Sequence, residues 1–188
     1  MTPITAQRRR GPELEAALLD AVWWELAETG YARLTMEGVA ARANTGKQVL
    51  YRRWPSRVQL VLSALRHRWS SLVDDLPDTG ALREDVLTLM RRMADRFERM
   101  SPDLVHGLMA EAGEVAPEIR ERMGGAMQTL LSRAADRGEA DPSRITPRVA
   151  TVAIDLLRHE MFVVGARPTE ATMAEIVDDV FLPLVRKI

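Results

Sequence analysis

The stretch "ARANTGKQVLYRRWPSR", residues 41–57, predicts a helix end, a tight turn, a short helix and the start of a further helix. Asn44 interrupts the helical pattern, and asparagine is among the few non-glycine residues that tolerate a positive φ angle. Thr45 and Gln48 have the spacing of a capping box, which predicts that the short helix opens at Thr45. The stretch is therefore typical of a helical hairpin with a sharp turn.

Helical spacing of apolar residues extends over the whole chain, and no convincing alternation of apolar and polar residues appears. Two helices are expected before the turn, the first after Gly11-Pro12 and the second capped by Thr35. A fourth helix is predicted to open at Ser56 and to continue to about Val73. After a polar loop, helices are predicted near 82–100, 103–113, 117–137, 146–164 and 169–187. The predicted fold class is all-α.

Composition indicates a folded protein without a metal or redox site. The chain has 188 residues, 46% hydrophobic and 28% charged, with no cysteine, which excludes disulfides and thiolate metal ligands. Its 3 histidines are isolated and form no HExxH motif, so we expect no enzyme activity, no metal and no cofactor. No signal-peptide-like segment and no membrane-spanning apolar run is apparent. A cytoplasmic location is expected.

Charge is distributed unevenly along the chain. Residues 1–68 carry 11 Lys and Arg against 6 Asp and Glu, whereas residues 69–188 carry 15 against 21. A basic first part on an acidic body indicates that the first part contacts an anionic partner. A strongly basic amphipathic helix of the kind that binds membrane surfaces is not present.

The short helix has one apolar and one polar face when residues 46–53 are placed about 100° apart. Val49 and Leu50 point to one side. The other side carries Lys47, Gln48, Tyr51 and Arg52. Lysine and arginine can bond phosphates or guanine, glutamine can pair with adenine, and a tyrosine hydroxyl can reach a phosphate. The face suits a DNA recognition helix, although a solvated face without a partner would have the same composition.

Neighbouring residues fit the same interpretation. The Thr35 hydroxyl and the start of the fourth helix, at Ser56 and Arg57, suit contacts to phosphate. Residues 8–10, three arginines that include Arg10, form an arm that can lie along a duplex or in its minor groove. Charged termini are also common without any partner.

The segment "TMEGVAARANTGKQVLYRRWPSRVQLV", residues 35–61, resembles the helix-turn-helix signature of TetR-type bacterial transcription regulators. The residues in register are Thr35, Val39, Ala40, Ala43, Leu50, Tyr51, Trp54, Pro55, Ser56 and Arg57. The resemblance covers about residues 14–62, and Asn44, Thr45 and Gly46 depart from the family pattern. Residue chemistry and this resemblance together give the predicted DNA contacts: Arg10, Thr35, Thr45, Gly46, Lys47, Gln48, Tyr51, Arg52 and Arg57.

The same resemblance implies two domains. Residues 1–56 would form a three-helix helix-turn-helix domain, and a long helix would join it to a ligand-binding and dimerisation domain at 57–188. The last helix carries a heptad-like apolar stripe and the helix before it is apolar on more than one face, which either a partner subunit or the protomer's own core explains. As in the family, we expect a homodimer formed through Ile154, Leu157, Met161, Val177, Val180, Phe181 and Leu184.

Six of the ten methionines fall between residues 90 and 127. Methionine adapts to irregular volumes, so these residues either fill the core or line a ligand cavity, as the resemblance suggests. The expected cavity residues are Met90, Met93, Phe97, His106, Met109, Glu111, Met127 and Met161. The predicted function is a dimeric transcriptional regulator, most simply a repressor, that binds a near-palindromic duplex operator and leaves it when a small inducer binds. The alternative is a dimeric small-molecule-binding protein without operator binding.

Overall fold

The computed structural model describes residues 11–68 and 75–186, and every regular element within these ranges is helical. The chain divides into two compact units, Met1–Ser70 and Ser71–Ile188. The all-α prediction is confirmed. Arg10 and the predicted end of the fourth helix near Val73 lie outside the described residues.

The described residues of the first unit form four helices and one 3₁₀ turn. In chain order they are α1 (Gly11–Thr29), the 3₁₀ turn (Tyr31–Arg33), α2 (Met36–Arg42), α3 (Lys47–Tyr51) and α4 (Arg57–Arg68). Helix α1 packs against both α2 and α4. Their shared core includes Leu18, Val22, Val39, Leu50 and Val58, each with no exposed surface. Burial of this apolar surface holds the short helix α3 in place, because five residues cannot form a stable helix alone.

The division between the units differs from the predicted boundary at residues 56 and 57. Helix α4 turns its buried residues, among them Leu60, Val61 and Ala64, toward the core of the first unit and packs on α1. It therefore lies in the first unit, whereas the resemblance implied that it is a connecting helix of the second domain.

The second unit contains the remaining helices: α5 (Leu82–Glu98), α6 (Pro102–Ala110), α7 (Ala112–Asp136), α8 (Pro147–His159), α9 (Glu170–Glu175) and α10 (Leu182–Val185). A 3₁₀ turn (Pro142–Arg144) precedes α8. Helix α8 continues as a π turn (Glu160–Val164), and a second π turn (Ile176–Phe181) joins α9 to α10. One apolar cluster draws residues from α5, α7, α8 and the last elements. None of the described helices is long and apolar enough to span a membrane.

The predicted helix break before Pro117 is wrong. Helix α7 begins at Ala112 and includes Pro117, and the interruption falls at Glu111 instead. A proline inside a helix removes one backbone hydrogen bond but does not have to end the helix.

Polar contacts close the start of α5 against the end of α7. The buried Asp85 carboxylate accepts hydrogen bonds from Thr79, from its backbone N–H at 2.6 Å and its hydroxyl at 2.8 Å. Glu139 accepts from the backbone N–H of Leu82 at 2.7 Å, which satisfies one of the free donors at that helix end. Arg137 reaches both carboxylates, at 3.5 Å for Asp85 and 2.5 Å for Glu139.

Two glycines within α7 are predicted to lower its stability. A Cβ atom added at Gly124 or Gly125 would meet nothing within 4 Å, so close helix packing does not require either glycine. Replacing each by alanine should raise the free energy of unfolding by about 1 kcal/mol, because glycine loses more backbone entropy in a helix. Urea denaturation of Gly124→Ala, Gly125→Ala and the double variant measures this.

Gly138 provides the matched control. It follows the end of α7 with φ 78°, so Gly138→Ala should lower the free energy of unfolding by about 1 kcal/mol. A double variant at 124 and 125 that is less stable than the parent would contradict the helical conformation assigned there.

Candidate nucleic-acid interface

The turn between α2 and α3 is built by backbone hydrogen bonds around Asn44. Asn44 has φ 52°, and among the residues that the structure describes it is the non-glycine residue with positive φ. Its N–H donates to the Ala41 carbonyl at 3.0 Å, and the N–H of Thr45 donates to the Ala40 carbonyl at 2.9 Å. These two bonds define a Schellman motif, which ends α2 and redirects the chain. The predicted turn at Asn44 is confirmed.

The left-handed conformation at residue 44 predicts opposite effects for two substitutions. Asn44→Gly should raise the free energy of unfolding by about 0.5 kcal/mol, since glycine adopts this conformation without a Cβ penalty. Asn44→Val should lower it by about 1–2 kcal/mol, since a β-branched side chain is strained there. Chemical denaturation measures both, and equal stability of the two variants would contradict the assigned turn.

The predicted capping box at Thr45 is wrong. Gly46 occupies the cap position of α3 without a side-chain bond, and the helix begins at Lys47. The N–H of Val49 donates to the Gly46 carbonyl at 2.9 Å. Thr45 instead belongs to the turn, because its N–H closes the Schellman motif.

The two faces of α3 follow the helical periodicity. Leu50 is fully buried and Val49 is half-buried against the unit's core. The residues on the opposite face are exposed: Lys47, Gln48, Tyr51 and Arg52. Tyr51 is a large side chain that keeps 46% of its surface exposed. The structure therefore brings together four side chains that can donate hydrogen bonds to phosphates and bases.

The exposed face also includes an acidic residue that the sequence analysis did not select. Lys47 Nζ donates to Glu37 Oε1 at 3.3 Å, and the two side chains are 59% and 55% exposed. Glu37 is the second residue of α2 and Lys47 the first residue of α3. A pair ten residues apart has no local spacing signal, because only the turn between the helices brings it together.

Thr35 caps α2 as predicted. Its hydroxyl accepts a hydrogen bond from the Gly38 N–H at 3.0 Å, and the residue is exposed. The cap satisfies one of the free backbone donors in the first turn of α2. The predicted phosphate contact of Thr35 stays a prediction.

Arg57 makes contacts inside the first unit that stabilise it. Its guanidinium donates to the carbonyl of Tyr31 at 3.3 Å and to that of Leu34 at 3.2 Å. It also lies 4.7 Å from the centre of the Tyr31 ring, in cation–π geometry. The side chain is half-buried and joins α4 to the 3₁₀ turn that precedes α2, and the predicted phosphate contact of Arg57 stays a prediction.

Two further contacts hold α2 against α1. Arg42 Nε donates to the buried Glu25 carboxylate at 2.9 Å and also pairs with Glu28, and these carboxylates raise the pKa of Arg42. A Cβ atom at Gly38 would lie 2.3 Å from Glu25 Oε1, so the absence of a side chain lets α1 and α2 approach. Beyond α3, Trp54 is 7% exposed.

The predicted ligand residues do not share one environment. Met90, Met127 and Met161 are buried in the second unit's core, and Met93 and Phe97 are partly buried against it. Phe97 packs edge-on against Phe162, with ring centres 5.5 Å apart. His106 and Met109 are exposed on α6, and Glu111 is half-exposed after it. Contact between a ligand and Met90 or Met127 would require the core to open, because neither has exposed surface.

Most of the predicted dimer residues are core residues of the protomer. Those buried in it are Ile154, Leu157, Met161, Val177 and Phe181. Val180 and Leu184 are 37% and 38% exposed. Apolar periodicity identifies the inner face of a helix but does not say whether that face is covered by the same chain or by a partner, so the dimer contacts stay a prediction.

Both units match models of known protein families. Residues 18–64 match the family model described as bacterial regulatory proteins of the tetR family. Residues 76–180 match the model described as a tetracyclin repressor-like C-terminal domain.

Individual proteins that are similar to this chain are also transcriptional regulators. The chain is 32% identical over 184 residues to the DNA-binding transcriptional repressor TetR of Mycobacteroides abscessus, covering 94% of this chain and 96% of that protein. It is 28% identical over 179 residues to the HTH-type transcriptional repressor KstR of Mycolicibacterium smegmatis, covering 89% and 82%.

A solved TetR family transcription regulator superposes with a TM-score of 0.70 at 23% identity, covering 93% of this chain and 100% of that one. The fatty acid degradation regulator FadR from Bacillus halodurans has the same fold, with a TM-score of 0.60 at 16% identity over 93% and 97% of the chains.

The family matches and the relatives named as repressors identify a DNA-binding transcriptional regulator rather than an enzyme. The chain belongs to the TetR family of bacterial regulatory proteins.

Proposed function

We propose that this protein is a ligand-responsive repressor that binds a near-palindromic operator as a homodimer. The observation that carries the proposal is the exposed polar face of α3, placed on a buried apolar face directly after the turn at Asn44. The repressor assignment is supported by relatives that are named as transcriptional repressors.

DNA recognition would use the exposed face of α3 together with its flanks. Arg52 and Lys47 would contact phosphates or guanine, Gln48 would contact a base edge, and the Tyr51 hydroxyl would bond a phosphate. Thr35, Thr45 and Gly46 would approach the backbone, and Arg10 remains a proposed contact of the N-terminal arm. Arg57 would act mainly by holding α4 against Tyr31 and only secondarily by contacting a phosphate.

Dimerisation would use apolar surface that the protomer leaves uncovered on its last elements. Val163 and Val164 are 69% and 59% exposed, and Val180 and Leu184 lie four residues apart on the final segment. Three half-buried residues of α8 lie three and four positions apart and extend this surface: Val149, Val152 and Leu156. A second copy of the same surface would bury it, as two-fold symmetric interfaces require.

Ligand response would follow from linkage between two sites. A small apolar molecule would enter near Met93 and Phe97, the predicted ligand residues that pack against the core with part of their surface accessible. It would release DNA only if it binds more tightly to a dimer whose recognition helices are wrongly spaced. We propose that the protein acts in the cytoplasm, where its operator would lie, and we propose no membrane attachment.

Binding to DNA at varied salt tests the proposal against the alternative of a small-molecule-binding dimer. Fluorescence anisotropy with a labelled duplex should give an affinity that falls steeply between about 50 and 200 mM salt, because phosphate contacts release counterions. Absence of salt-dependent binding by folded protein would favour the alternative.

A further inference from the structure

Glu37 lies on the same exposed surface as the proposed recognition residues. Its carboxylate meets Lys47 at 3.3 Å, which places it at the first turn of α2 and beside the first residue of α3. Both side chains have more than half of their surface exposed. A DNA backbone that contacts Lys47 would therefore approach Glu37 as well.

Glu37 is negatively charged at neutral pH. A hydrogen bond with the backbone at the start of α2 lowers the pKa of its carboxyl, and Lys47 lowers it further. An ionised carboxylate accepts hydrogen bonds and cannot donate them, and phosphates repel it. In the major groove, cytosine offers an amino donor to such an acceptor, adenine places its N7 acceptor beside its amino group, and guanine and thymine present acceptors.

Resting on the proposed DNA-binding function, we propose that Glu37 is a specificity-determining residue of the recognition surface. In the free protein it holds Lys47. On the operator it accepts a hydrogen bond from the N4 amino group of a cytosine, and Lys47 moves to a phosphate.

The pair has a second consequence for binding without sequence specificity. While Glu37 neutralises Lys47, this lysine releases fewer counterions on random DNA, so non-specific affinity falls. A sequence with cytosine at the right place restores a partner for the carboxylate and frees the lysine. Glu37 would thus increase the ratio of specific to non-specific affinity, because it lowers binding to random DNA and gains a partner on the operator.

The test compares Glu37→Gln with Glu15→Gln in the full chain. Glu15 is exposed on α1, so its substitution removes the same charge from the same unit. Affinities are measured for a duplex enriched from a random pool, for versions with each base pair replaced, and for a scrambled duplex over a range of salt.

For Glu37→Gln we expect about 3–10-fold tighter binding to the scrambled duplex, with a logarithmic salt slope steeper by about two, because one lysine is released in each protomer of the dimer. Preference for cytosine at one position of each half-site should fall about 10-fold. Glu15→Gln should leave the base preferences unchanged. Glu37→Asp keeps the charge on a shorter side chain and should lose the cytosine preference without the gain in non-specific affinity.

A base-preference profile of Glu37→Gln that matches the parent and Glu15→Gln would overturn the inference while leaving the proposed function intact. Failure of the parent protein to bind any duplex would overturn the proposed function, and this inference with it. Thermal unfolding of each variant confirms that the compared proteins are folded.

Discussion

Leu184→Arg is expected to convert the protein to a monomer and to weaken operator binding by about 100-fold or more. Leu184 is 38% exposed on the last helix, next to Val180 in the proposed dimer surface. An arginine there would be buried without a partner in the dimer, which is costly, and two unlinked recognition helices lose the gain from simultaneous binding. Analytical ultracentrifugation and operator titration measure the two effects.

Met109→Arg is the matched control for this substitution. Met109 is 41% exposed on α6, which lies outside the proposed dimer surface. The variant should remain dimeric and bind the operator as the parent does. Dissociation by Met109→Arg with an intact dimer in Leu184→Arg would move the interface to α6.

Arg52→Ala has the second largest expected effect. Each half-site would lose a phosphate or guanine contact, so operator affinity of the dimer should fall by about 30-fold or more. Because Arg52 is exposed at the end of α3, the temperature of thermal unfolding should stay unchanged.

Arg33→Ala removes the same charge from the same unit. Arg33 lies in the 3₁₀ turn, where its guanidinium bonds the Thr29 carbonyl at 3.0 Å. It should alter operator affinity much less than Arg52→Ala. A large fall in the unfolding temperature of Arg52→Ala would show that the exposed face of α3 is misassigned.

The helix-turn-helix was predictable because its signals are local. Positive φ at Asn44, the cap at Thr35 and the opposition of Leu50 to Arg52 each depend on a few neighbouring residues. The predicted helix cap at Thr45 was wrong because Thr45 also closes the turn. The backbone hydrogen bonds of that turn outweigh a capping-box spacing.

The tertiary contacts of individual residues were harder to predict from the sequence. Periodicity marked Phe181 and Ile154 as apolar but did not tell core from interface, and both lie in the protomer's core. Arg57 matched a motif position, yet its orientation is set by two carbonyls contributed by Tyr31 and Leu34, more than twenty residues earlier. The Glu37–Lys47 contact likewise depends on how the turn folds α2 onto α3.

Selection of the purified protein against a random-sequence duplex pool, at roughly physiological salt where screening extends about 8 Å, is the most direct test of operator binding by a dimer. We expect enrichment of a near-palindrome whose half-sites are separated by about 34–36 Å, one DNA turn, or a multiple of it. Protein that is shown to be folded and dimeric, and that nevertheless enriches no sequence, would contradict this expectation.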